Sequence, residues 1–168
     1  MENLIEVLGQ ECTLYESLMQ VSMKKTPTIV AGDIDALQKI TDEEQEIVGR
    51  ILNLDRKRQE VTKDMANVLN KDVETLKLTT LIQMLEKRPE EQKALADVFD
   101  RLQDVTAQVA RVNEQNRQLL EGAMEMVQFN LNLMQSMRSA PETANYNKGA
   151  YSDGSLIGTS ASGFDAKQ

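Results

Sequence analysis

The chain has 168 residues, of which 40% are hydrophobic, and this suits one folded unit with a core of its own. Aromatic residues make up only 4% while methionine reaches 9 residues, so the apolar contacts must come from Leu, Ile, Val and Met, which favours helices over β-sandwiches. The net charge of −8 makes nucleic acids and anionic membrane surfaces poor partners.

The residue types that most enzyme and metal sites need are missing. There is no histidine, and the single cysteine, Cys12, has no second thiol in the chain. This excludes Ser-His-Asp and Cys-His catalysis, His-ligated zinc, an internal disulfide and iron-sulfur clusters. The acidic run at 42–46 lacks the glycine turn of a calcium loop and is better explained as a solvated helix face. We therefore predict that the protein is not an enzyme and uses no metal and no cofactor.

Targeting signals are also missing from the sequence. The first six residues carry acid where a secretory leader carries base, and no stretch approaches the ~20 apolar residues that span a bilayer. We expect a cytoplasmic protein with no membrane insertion.

The first predicted helix covers residues 2–31. Apolar residues such as Leu4, Leu8 and Cys12 recur at three- and four-residue intervals, as on one face of a helix. Cys12 is therefore expected to pack as a small hydrophobe rather than react. Pro27 is expected to kink this helix without ending it.

A second helix is predicted over 34–70, after a break at Gly32 and an N-cap at Asp33. Its apolar positions follow a 3.5-residue period typical of a coiled coil. Glu44 and Arg58 interrupt this seam, and we expect their stems to lie along the groove with the charged heads in water. The seam residues are Leu37, Ile40, Ile47, Ile51, Leu54, Val61, Met65 and Val68.

A short helix near 79–86 is predicted to plug one end of the bundle, and a long one covers 90–137. Pro89, followed by Glu90 and Glu91, is typical of a helix start. The fold class is thus all-α: an elongated antiparallel coiled-coil bundle of three long helices with a short connecting helix.

Two asparagines, Asn116 and Asn130, occupy seam positions of the last helix. One interpretation is that each amide is hydrogen-bonded inside the coil and fixes the register. The other is that this end of the helix is not covered. The predicted helices are ~56 Å long for 34–70 and ~72 Å long for 90–137, so the last ~16 Å of the longer helix has no partner. This length difference favours an uncovered C-terminal end of the last helix.

The uncovered end is rich in methionine. Residues 122–137 contain four methionines and one charge, with apolar side chains on more than one face. We predict that this surface receives an amphipathic partner helix, because methionine repacks easily against apolar helices. A second copy of the chain, or the chain's own tail, is the alternative occupant. The predicted contact residues are Met124, Met126, Phe129, Leu133, Met134 and Met137.

The composition changes to Ser, Gly, Ala and Asn after the last helix. The three basic and three acidic residues of 138–168 cancel, so the whole net charge falls on 1–137. We predict a helical domain at 1–137 and a flexible tail at 138–168 that orders on a partner. Tyr146, Tyr151 and Phe164 are its predicted anchors.

Several short segments resemble the FlgN family of flagellar export chaperones, which are small acidic helical proteins. They are a first helix of the Leu4 to Leu18 type, Gly32-Asp33 with Leu37, Leu54-Asp55-Arg56-Lys57-Arg58, Asn113-Glu114-Gln115-Asn116 with Leu119-Leu120, Tyr146-Asn147-Lys148-Gly149, and Phe164-Asp165-Ala166-Lys167. The resemblance implies binding of hook-filament junction (hook-associated) proteins through their C-terminal helical segments before type III export, with the export apparatus as a further partner.

Two other classes of protein stay open at this stage. A structural coiled-coil protein, either an oligomerisation module or an adaptor, would use the same apolar surface for self-association. A helical hydrolase or metal protein has the least support from the residues present.

Overall fold

The computed structural model describes residues 1–72 and 76–139, and within these ranges the only regular elements are four α-helices. This confirms the all-α fold of three long helices with a short connecting one, and the ends differ from the predicted ones by two residues or fewer. Met1–Phe129 form one compact unit, and the part of the chain from Asn130 onward is described by itself. The helices are α1 (Glu2–Ala31), α2 (Ile34–Leu69), α3 (Leu78–Met84) and α4 (Pro89–Ser139).

A two-residue turn joins α1 to α2. Gly32 has φ 68°, a left-handed conformation that glycine adopts without strain, and its N–H donates to the Ile29 carbonyl. The Asp33 carboxylate accepts from the Ala36 N–H at 2.9 Å, which confirms the predicted N-cap. So short a turn makes the two helices antiparallel. Pro27 lies inside α1 and, as predicted, does not end it.

Loss of the N-cap is expected to weaken α2. Asp33→Ala removes the acceptor of the Ala36 N–H, so we expect a loss of about 1 kcal/mol in the free energy of unfolding, measured by urea denaturation. Asp35→Ala is the matched control, because Asp35 lies in the same first turn but contributes only a dipole interaction. An equal loss for both variants would show that the hydrogen bond contributes nothing.

Helix α4 runs parallel to α1 and antiparallel to α2. Later residues of α1 contact later residues of α4: Cys12 contacts Val98, and Ser22 contacts Asn116. Cys12 is fully buried, and its thiol donates to the Val98 carbonyl with Sγ 3.7 Å from the oxygen. Burial raises the pKa of this thiol above its ordinary value. Cys12 therefore packs as the predicted small hydrophobe.

Two apolar clusters form the core of the Met1–Phe129 unit. The cluster that contains α3 confirms the predicted plug, because Leu81 of α3 is buried against α1, α2 and α4. Its buried members are Leu4, Leu8, Ala66, Leu76, Leu81, Leu85 and Leu95. The second cluster lies closer to the α1–α2 turn and consists of Leu14, Leu18, Val21, Ile47, Ile51 and Val109.

Candidate partner-binding surface

A polar layer ties α1 to α2 between the second apolar cluster and the turn. The Glu44 carboxylate accepts from the Ser22 hydroxyl at 2.6 Å and from the Lys25 ammonium at 2.5 Å. The expectation that the head of Glu44 lies in water is therefore wrong. A carboxylate that is largely removed from water needs partners, and α1 supplies a hydroxyl and a cation where the α2 seam carries this acid.

Asn116 adds α4 to this layer. Its amide nitrogen donates to the Ser22 carbonyl at 2.8 Å, and its amide oxygen accepts from the Thr26 hydroxyl at 2.6 Å. Asn116 is buried, which confirms the register-setting interpretation at this position. Asn130 is exposed instead, so that interpretation is wrong there. The layer fixes which part of α4 lies beside the α1–α2 turn.

The second interruption of the seam, Arg58, is also paired. Its Nε lies 3.0 Å from a carboxylate oxygen of Glu11, which is only 3% exposed, and Asp55 contacts the same guanidinium. The sequence predicts that the head of Arg58 lies in water. That prediction is wrong, because the guanidinium pairs with Glu11 and Asp55. Burial raises the pKa of Glu11 and outweighs the opposing effect of Arg58. The pKa of Arg58 is also raised, because the charges of Glu11 and Asp55 outweigh its burial.

Two carboxyl groups are expected to titrate in opposite directions. The pKa of Glu11 lies above its ordinary value, so its contribution to stability is present at low pH and is lost as the pH rises through that pKa. Hydrogen bonds from Arg117 and Gln118 lower the pKa of Glu114 to about 2, so its contribution is present above the unfolded value and is lost as the pH falls toward 2. Carboxyl-detected NMR titration measures both, and coincident midpoints would contradict the assignment.

The last part of α4 is exposed throughout. Every residue from Glu121 to Arg138, called here the exposed segment, has an exposed side chain. Met124 is 71% exposed and Phe129 65%, although both are large and apolar. A run of exposed large apolar residues of this length is unusual on a helix that faces water. Its exposed large apolar residues are Met124, Met126, Val127, Phe129, Leu131, Leu133, Met134 and Met137.

A crevice of about 550 Å³ lies between the α1–α2 turn and α4. It belongs to the Met1–Phe129 unit, and most of its lining is apolar. We call it the turn crevice. It is lined by Thr28, Ile29, Gly32, Asp33, Ile34, Leu37, Leu120, Ala123, Met124, Val127 and Gln128.

The predicted contact residues fall into three groups. Met124 lines the turn crevice, while Met126 and Phe129 are exposed on α4 outside it. Leu133, Met134 and Met137 are exposed on the part of α4 after Asn130. The three aromatic residues predicted for the tail, Tyr146, Tyr151 and Phe164, lie outside the described residues.

Comparison with known families decides what kind of protein carries this surface. The FlgN family model, described as FlgN protein, matches residues 1–152. The chain belongs to the FlgN family. FlgN proteins are flagellar export chaperones, so the resemblance seen in the sequence is confirmed.

One relative of this FlgN-family chain is the Uncharacterized protein YvyG of Bacillus subtilis (strain 168). The two are 24% identical over 144 residues, which covers 86% of this chain and 83% of the relative. No solved structure matches the chain. None of the helices in the described part of this FlgN-family chain has the length and apolar character to cross a membrane.

Sequence reasoning missed half of the turn crevice in this FlgN-family chain. It identified Met124 of α4 but not Ile29, Ile34 and Leu37, which α1 and α2 contribute. Ile34 is 72% exposed although it begins α2. Apolar residues on both sides of the Gly32-Asp33 turn were the available signal, because a tight solvated turn ordinarily carries polar neighbours.

Proposed function

We propose that this FlgN-family protein is a cytoplasmic chaperone for hook-associated flagellar proteins. It binds their C-terminal helical segments and keeps them soluble until the flagellar type III apparatus exports them. The observation that carries the proposal is the exposed segment of α4, whose large apolar side chains the described part of the chain leaves in solvent. Such a surface suits a helix-in-groove partner.

The energy available from this surface is sufficient for a stable complex. Burying one exposed Met, Leu or Phe side chain contributes ~1.5 to 3 kcal/mol before the cost of ordering. Four such contacts give on the order of 6 to 12 kcal/mol, from which association subtracts several kcal/mol. Micromolar affinity corresponds to ~8 kcal/mol, so it requires contacts at the upper end of this range or burial of more than four of the exposed apolar side chains.

Methionine makes the surface adaptable. Met124, Met126, Met134 and Met137 are all exposed, and a thioether side chain repacks at low cost against differently shaped partners. A chaperone that must release its client, and that meets more than one client, benefits from such a surface.

We extend the proposal to the tail, in which Tyr146, Tyr151 and Phe164 supply further contacts with the client.

The test is light scattering coupled to size-exclusion chromatography on the full chain, alone and with a purified hook-associated protein from the same organism. We expect a small defined species that forms a 1:1 complex with the intact client. A client truncated before its C-terminal helical segment is the control and should not bind. Self-assembly of the chain without complex formation would contradict the proposal and favour a structural coiled-coil protein.

A further inference from the structure

The turn crevice has a mostly apolar lining, and the positions next to its lining residues on α2 and α4, called here its rim, carry acidic side chains. Two stretches of chain form the turn crevice, residues 28–38 and 118–129. Every ionisable side chain within them is acidic. These four residues are Asp33, which also lines the crevice, and Asp35, Glu121 and Glu125. The lining itself contains no basic residue.

Two nearby basic residues are held by acids, and a third, Lys39, follows directly after residue 38 on α2 with an exposed side chain. Arg117 pairs with Glu114 at 2.7 Å and with Glu121 at 2.5 Å. Lys25 pairs with Glu44 in the polar layer. Lys39 stands four residues after Asp35 on α2, so the four acids of the rim face two nearby cations, Lys39 and Arg117, and the rim keeps a net negative charge.

We propose that the turn crevice receives an amphipathic helix that carries Lys or Arg beside its apolar stripe. This inference rests on the proposed function and specifies the chemistry of the client segment that enters the crevice. The apolar lining contributes affinity, whereas the acidic rim selects the orientation and excludes helices with acidic flanks. Ile34, at the start of α2, and Val127, on α4, both line the crevice and contact the same apolar stripe.

Two synthetic peptides serve as probes. Both have 18 residues and identical leucine positions at helical spacing, and they differ only in whether Lys or Glu flanks the apolar stripe. Binding to the full chain is measured by isothermal titration calorimetry in low and in high salt. We expect the Lys-flanked peptide to bind at least tenfold more tightly in low salt, with a smaller difference in high salt.

The net charge of −8 alone also favours a cationic peptide, so charge variants are needed to locate the effect. Asp35→Asn with Glu125→Gln should reduce the preference for the Lys-flanked peptide about threefold to tenfold. Glu60→Gln with Asp104→Asn is the matched control, since it removes the same charge at exposed sites away from the crevice, and it should leave most of the preference intact. Equal preferences in the two double variants would overturn the inference.

The position of the peptide is tested separately from its charge. Ile34→Ser should weaken both peptides at least tenfold while leaving the melting temperature unchanged, because Ile34 is largely exposed in the free protein. Unchanged binding would overturn the assignment to the crevice. If the hook-associated protein binds the Ile34→Ser variant as tightly as the unmodified chain, this inference fails and the proposed function stands. If the unmodified chain forms no complex with the hook-associated protein, the proposed function is contradicted.

Discussion

Replacing Phe129 and Leu133 together with Glu is expected to abolish binding of a hook-associated protein, with an affinity loss of at least ~100-fold. Both side chains are exposed in the free protein, so the substitution removes no core contact. In the complex each new carboxylate would be taken from water into an apolar contact, at a cost of several kcal/mol. Helicity by circular dichroism and the melting temperature should therefore stay nearly unchanged.

The matched control adds the same two charges elsewhere on α4. Ala107→Glu with Ala110→Glu alters exposed positions outside the exposed segment and should leave client binding intact. If the Phe129 and Leu133 variant instead unfolds, or converts an oligomer to monomers, then this surface is covered in the free protein by its own tail or by a second copy. That outcome would contradict a surface kept free for a client.

The second large effect is expected at the ion pair between the buried Glu11 of α1 and the half-buried Arg58 of α2. Arg58→Met leaves the Glu11 carboxylate buried without its cation, so we expect a loss of about 3 kcal/mol in the free energy of unfolding at pH 7. Removal of Arg58 raises the pKa of Glu11 further, because only burial and the Asp55 charge then act on it. The loss should therefore shrink as the pH falls below that raised pKa and Glu11 becomes neutral.

Urea denaturation at pH 4.5 and pH 7.5 measures this effect. Adding Glu11→Gln to Arg58→Met should recover part of the stability at pH 7.5, since no charge then stays buried. Lys57→Met is the control, because Lys57 is exposed and its loss should change stability by less than about 0.5 kcal/mol. A loss that is the same at both pH values would contradict the account of Glu11.

The periodicity of the sequence was sufficient to predict the helices. In α2 the apolar residues follow a 3.5-residue period that only Glu44 and Arg58 interrupt, and such spacing places them on one face only if the segment is helical. Asp33 and Gly32 carry local signals of a helix start and a left-handed turn, which do not depend on distant residues. These features followed from the sequence because each depends on neighbours within four positions.

The polar contacts between helices did not follow from the sequence. Which residue of α1 faces Arg58 depends on the rotation and register of two helices, and the sequence alone does not choose among the four acids of α1. The turn crevice depends on the same quantities, since Leu37 and Val127 come together only once α4 is placed beside the turn. Asn116 came closest to indicating the register between α1 and α4 from the sequence. It is a polar residue in the apolar seam, and its amide joins α4 to Ser22 and Thr26 of α1.

The most direct test of the central claim is hydrogen–deuterium exchange of the full chain with and without a purified hook-associated protein of the same organism. Binding of the client helix should slow amide exchange in the exposed segment of α4 and in residues 29–37 around the α1–α2 turn, with no change at the opposite end, over 78–90. A stable complex whose protection falls on 78–90 and spares the exposed segment would contradict the account.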